Sequence, residues 1–193
     1  GMCLMLNLSL RLLSGGVLLL LCLSACIPVP MTTPELYRPL SHFDPSDNIT
    51  EYENHLARFN VAIEADATDI DARFARALLY MGVGKYLPAE DDLTAAIKVA
   101  DRRPDYSRER LASIYLHRGL LRWNAEQVDL AIADYTQAIE LDPEDWEAYF
   151  HRWQAYSHHE EPEKAEQDRE QGMKLKPSVF KKEYVLRYDG IVL

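Results

Sequence analysis

Apolar residues recur at steps of three and four through most of the chain. Between Val128 and Leu141 they fall at Val128, Ala131, Ile132, Tyr135, Ala138 and Ile139, which lie on one face of a helix. Between Asn48 and Ala65 the matching face is Phe59, Ala62 and Ile63. Strand-like alternation is absent. Gly and Pro are scarce beyond residue 45, and hydrophobic residues make up 48% of 193 residues, enough for one packed domain. The pattern predicts an all-α protein.

The helical segments also repeat. Pro143 and Pro177, Ala131 and Ala165, Tyr115 and Tyr149, and Leu141 and Leu175 are each 34 residues apart. That period, with Ala at close helix contacts and Pro at the exit, resembles the tetratricopeptide repeat. One copy, 112–145, carries Tyr115, Gly119, Ala131, Tyr135, Ala138 and Pro143. The next, 146–177, carries Tyr149, Tyr156, Ala165 and Pro177. An earlier copy, 70–103, has Ala77, Tyr80, Tyr86, Ala89 and Ala96, but Asp101 where the closing Pro belongs.

An insertion, 104–111, separates the first two copies. Pro104 and Asp105 read as a helix start, so it is expected to add two turns to the following helix. Residues 47–69 read as the second helix of a half-repeat. Residues 178–193 read as a C-terminal capping helix and tail, helical from Val179 to Tyr188. The resemblance implies a right-handed superhelix of antiparallel helix pairs with about three full repeats and terminal caps. Two residues depart from the pattern in the last copy. Trp153 stands where a small residue lets helices approach, and Gly172 replaces a small Ala, so this copy is expected to pack differently or to end the array.

The first twenty-five residues have another character. They contain no Asp or Glu, and a single cation, Arg11, precedes an apolar run from Leu12 to Leu23. The run is short for a bilayer span and has the length of a secretory signal. It closes with Leu23, Ser24, Ala25 and Cys26, which looks like the lipobox of bacterial lipoproteins. The resemblance implies cleavage after residue 25 and a diacylglycerol on Cys26. Cys3 and Cys22 would leave with the signal, so packing alone must hold the mature fold. Residues 26–46 contain five of the ten prolines (Pro28, Pro30, Pro34, Pro39 and Pro45) and read as an extended tether. Ile27, rather than Asp, follows the anchor. In a Gram-negative envelope that favours the outer membrane, facing the periplasm.

Charge narrows the partners. The whole chain carries −10, and losing Arg11 makes the remainder one unit more negative. Nucleic acid and anionic lipid are poor main ligands for such a surface. A partner with a basic segment fits better.

The repeat register pairs residues across helices. Arg76, Arg118 and Arg152 are equivalent on the first helices, and Asp92, Asp134 and Asp168 on the second. Each Arg is expected to meet its own repeat's Asp as a structural ion pair. By the resemblance, first helices line a concave groove. Its facing positions are Asp71, Phe74, Leu78 and Met81; then Ser113, Leu116, Leu120, Trp123 and Asn124; then Glu147, Phe150, Gln154, Ser157 and His158. Phe74, Leu116 and Phe150 are equivalent and are expected to form an apolar stripe for a partner helix or peptide. A terminal helix or a homodimer could cover the same stripe instead. Trp123 is the expected hot spot.

Catalytic patterns are absent. Gly82, Val83, Gly84 and Lys85 resemble part of a phosphate loop, but Leu79 replaces its first Gly and Tyr86 its Ser or Thr. No G-x-S-x-G elbow occurs, and the mature chain has no thiol to pair with a His. Paired carboxylates such as Asp91–Asp92 and Glu160–Glu161 read as solvated faces, and His158–His159 as a solvated turn rather than a metal site. His117 and His151 read as surface residues. The expectation is a non-catalytic, lipid-anchored envelope adaptor without cofactor or metal. The alternative is a permanent, pilotin-like subunit of an outer-membrane complex.

Overall fold

Seven α-helices follow one another through residues 49–180, the part of the chain described by the computed structural model. They are α1 (Ile49–Ala65), α2 (Ile70–Gly82), α3 (Tyr86–Ala100), α4 (Arg108–Asn124), α5 (Val128–Leu141), α6 (Trp146–His158) and α7 (Pro162–Leu175). The helices pair as α2 with α3, α4 with α5 and α6 with α7, while α1 packs on α2. The expected signal peptide, Cys26 and the tether lie outside the described residues, as does the chain from residue 181. No described helix is long and apolar enough to cross a membrane.

Local chemistry marks every boundary. The first helix of each pair opens on a side-chain cap. Asp69 accepts from the Ala72 amide, Ser107 from Arg110 and Asp145 from Glu147. Each first helix stops at a left-handed residue: Gly84 (φ 72°), Glu126 (φ 59°) and Glu160 (φ 58°). The next amide then reaches back five residues, from Lys85 to Tyr80 O, Gln127 to Arg122 O and Glu161 to Tyr156 O. This is a Schellman stop. The Gly82–Lys85 stretch is therefore a helix terminator.

The insertion behaves differently from the sequence expectation. Residues 101–107 form turns, with Arg102, Arg103 and Tyr106 amides bonded to Val99, Ala100 and Arg103 carbonyls. Ser107 caps α4 at Arg108, so the insertion adds one helical turn before Ala112, not two. Pro104 starts no helix because the Ser107 hydroxyl supplies the cap three residues later.

Packing follows a large-against-small rule. Gly119 on α4 lies under the Tyr135 ring of α5; a Cβ there would sit 2.5 Å from Tyr135 Cε1. In the last pair the sizes exchange. Trp153 on α6 is large, and Gly172 on α7 is small. Phe180 fills the space above Gly172, 5.9 Å from the Trp153 ring and 5.6 Å from Phe150. Phe180 is 0% exposed. The two departures noted in the sequence thus form the seat of an end cap. Val179 and Phe180 themselves lie in a turn and bend, not in the expected helix, and the rest of that helix lies outside the described residues.

Candidate functional site: the face of the first helices

Three clasps hold the first helices in place. Arg76 donates to both oxygens of Asp92 at 2.7 Å, Arg118 to Asp134 at 3.0 and 2.7 Å, and Arg152 to Asp168 at 2.8 and 2.6 Å. All three Asp residues are buried, so Asp92 is not the solvated carboxylate expected beside Asp91. Bidentate geometry and Arg's planar fork suit a buried pair.

Each Arg also reaches back to the preceding repeat. Its third donor meets Asn60 at 2.7 Å, Thr94 at 3.4 Å or Thr136 at 3.0 Å. Asn60, Thr94 and Thr136 are equivalent once the insertion is counted. One side chain thereby ties three helices, and a Tyr ring lies beside each guanidinium: Tyr80, Tyr115, and Tyr149 with Tyr156. The sequence reading found the Arg–Asp half of this clasp and missed the backward half, although the 34-residue spacing of Asn60 and Thr94 carried it. Arg58 occupies the Asp position in the half-repeat.

The groove-facing set divides in two. The positions nearer the helix N-termini are filled. Phe74 is 1% exposed and meets the His117 ring edge-on at 5.3 Å. Leu116 is 3% exposed and shares a cluster with Ala148 and Ala155 of α6. Phe150 is half-buried against Phe180, Trp153 and His151. The expected apolar stripe is therefore packing between successive first helices. Phe74 turns toward α4 and Leu116 toward α6, while Phe150 turns toward Phe180 in the closing turn. Asp71 is also buried, holding Tyr106 Oη at 2.8 Å and Arg110 at 2.7 Å. The insertion brings both of those residues over the start of α2.

The positions nearer the C-termini stay accessible. Leu78, Met81, Leu120, Trp123 and Gln154 are half-buried, and Asn124, Ser157 and His158 are exposed. Trp123 meets the His158 ring edge-on at 5.4 Å, so α4 and α6 share this surface.

His117 and His151 are half-buried rather than fully exposed. His117 Nδ1 lies 2.7 Å from Ser113 O, and His151 stacks on Tyr135 with ring centres 5.9 Å apart. Burial lowers both imidazoles, His151 to about 4. At the start of α6, burial raises Asp145, and burial together with Asp145 raises Glu147. Tyr135 Oη is buried without a hydrogen-bond partner, and burial raises its pKa. Among the described residues, no three His, Cys, Asp or Glu converge on a metal-sized site. His158, the last residue of α6, and His159, in the turn that follows, are exposed, His159 lying 3.5 Å from both Asp129 and Glu161.

Capped first helices, Schellman stops, interlocked Ala positions and the 34-residue step define an all-α tetratricopeptide-repeat array. Residues 112–145 match the tetratricopeptide-repeat family model, over the bounds of the second copy. The chain is 28% identical over 133 residues to human tetratricopeptide repeat protein 6, which covers 69% of this chain and 23% of that protein. It thus spans about a quarter of that relative's length. A crystal structure of MamA superposes with TM-score 0.62 at 19% identity, covering 76% of this chain and 82% of MamA. MamA from Desulfovibrio magneticus RS-1 gives 0.56 at 20% identity, over 68% of this chain and 70% of that one. BtubC from P. vanneervenii gives 0.59 at 17% identity, over 69% and 59%. These likenesses concern the fold, whose common use is protein–protein interaction; the particular role has to come from the site.

Proposed function

We propose that the chain is a non-catalytic adaptor, held at a bacterial envelope membrane by a lipid on Cys26, that grips a partner protein along the first helices. The gripping surface is the accessible half: Leu78 and Met81 on α2, Leu120, Trp123 and Asn124 on α4, Gln154 and His158 on α6. The observation that carries this reading is Trp123. It is a large aromatic left half-exposed on a rigid helix, flanked by an exposed imidazole, and such residues dominate interface energies. Phe74 and Leu116 support the surface from within. The chain's net charge of −10 favours a basic segment in the partner, with an affinity that falls as salt rises.

A second reading, a permanent pilotin-like subunit of an outer-membrane complex, draws on a different surface. Leu87 is 79% exposed beside half-exposed Tyr86, and Leu130 is exposed at the start of α5. The two readings separate by site-directed photo-crosslinking in cells. A crosslinker at Asn124 captures the partner if the groove works; one at Leu87 captures it if the subunit reading holds. Adducts at neither position refute both. Mass analysis of the mature N-terminus tests the anchor. An unlipidated Cys26, or a chain still carrying residues 1–25, would remove the membrane from the account.

A further inference from the structure

Two imidazoles at equivalent repeat positions, His117 on α4 and His151 on α6, stand near enough to oppose each other's charge, and the adaptor surface makes no use of either. His117 lies between Phe74 of α2 and its own helix, with Nδ1 bonded to Ser113 O at 2.7 Å. The Nδ1 proton donates to that carbonyl, leaving Nε2 as the bare nitrogen. His151 lies between Tyr135 of α5 and Phe150 of α6, with Nδ1 3.2 Å from Gln154 Oε1. Neither imidazole has a carboxylate within ion-pair distance among the described residues, whereas His55 and His159 do.

The charged and titratable neighbours come from several elements. The α6 cap contributes Asp145, whose charge reaches His117, with Asp142 behind it and Glu147 beside it. From α5 comes the Tyr135 phenol, uncharged at working pH. Gln154 on α6 is neutral. From α4, His117 itself opposes a charge on His151. From α2 comes only the Phe74 ring. The first proton taken up by this pair meets aromatic rings and little counter-charge, and the second meets the first.

We propose that the His117–His151 seam is an acid-sensitive latch: proton uptake there releases the third helix pair, α6–α7, from the rest of the array. In a repeat array each unit is held mainly by its neighbour, so weakening one interface detaches the end unit before the remainder unfolds. Trp123 and His158 face each other across the same seam. Release therefore dismantles the adaptor surface, a consequence that rests on the function proposed above; the latch itself does not.

The direction follows from linkage. A histidine whose folded pKa is lowered contributes stability fully above its unfolded value, near 6.5, and loses it as pH falls toward the folded value. With His151 near 4 when docked, the ratio of detached to docked array rises about 20-fold between neutral pH and pH 5. His117 shifts in the same sense and adds to this.

Hydrogen exchange on the full chain, corrected for intrinsic rates, tests the latch near neutral pH and near pH 5. Residues 146–175 should lose protection selectively in acid while 70–100 keep theirs. The double variant His117→Asn, His151→Asn, which retains an N–H donor near each Nδ1, should not show this acid-specific loss. Undiminished protection of 146–175 at pH 5 in the native chain would overturn the proposal, and so would an identical acid loss in the variant. NMR titration of the native imidazoles decides if the variant fails to fold. Both should stay neutral until α6–α7 detaches. A midpoint near 6.5 for either one, with the pair still docked, would also overturn the proposal.

Discussion

Gly172→Ala should destabilise the array in the native chain and stabilise it once Phe180 is gone. A Cβ at Gly172 would lie 2.5 Å from Phe180 Cε2 and nearer still to Cζ and Cε1. Carbon atoms at rest stay about 3.5 Å apart, so the ring must retreat by roughly 1 Å or more. Phe180 is fully buried in a cluster with Trp153, Phe150 and Ala165. Losing that seat forfeits most of the roughly 1.5–3 kcal/mol that burying a Phe contributes. Against this stands the better helix propensity of Ala, roughly 0.8–1 kcal/mol in a helix interior. The net expectation is a loss of about 0.5–2 kcal/mol. In a Phe180→Ala background the clash disappears while the propensity gain remains, so the same substitution should stabilise by up to about 1 kcal/mol. Urea unfolding of the four chains, followed by far-UV circular dichroism and Trp fluorescence, measures the cycle. Equal effects of Gly172→Ala in both backgrounds would refute the reasoning, because Phe180 would then not rest on Gly172.

Other consequences are independent of that cap. Asp134→Ala should cost about 3–5 kcal/mol, since it strips a buried carboxylate from Arg118 and from Arg122, which lies 2.8 Å away; a loss under about 1 kcal/mol in thermal or urea unfolding would contradict the clasp. Tyr135→Phe removes a buried hydroxyl without a partner, so stability should hold or rise by about 1 kcal/mol, and a clear loss would mean the hydroxyl is satisfied. Gly84→Ala should lose about 1 kcal/mol at its left-handed φ, while Glu126→Gly at the equivalent stop should gain a similar amount; the same sign for both would refute the shared Schellman geometry.

Much of this architecture was readable before any coordinates, because a repeat states each contact several times. The Ala series at 77, 89, 96, 131, 138 and 165 and the Arg–Asp series announced both the helix pairs and their register. Trp153 and Gly172 announced an altered last pair, although neither predicts that Phe180 fills the gap. That residue lies outside the repeat, and its seat exists only after α6 and α7 have packed. The groove was less legible. Family-like positions mark one face of the first helices, yet they do not tell which residues face outward and which turn toward a neighbouring element. Phe74 and Leu116 are on the right face and buried within it. The histidines misled for a related reason. A polar residue at a helical surface position reads as solvated, but Phe74, Tyr135 and Phe150 close over His117 and His151 when neighbouring repeats dock. The insertion gave a false helix start because Pro and Asp favour the first turn generally, and Ser107 was the better cap.

The central claim, that the accessible half of the first helices is the working surface, is tested most directly by affinity capture from solubilised envelope. The lipidated chain is compared with a Trp123→Ala, His158→Ala variant shown to be folded by circular dichroism. The account predicts one protein recovered by the native chain and lost by the variant. The same companions recovered by both chains would contradict it and place the working surface elsewhere on the array.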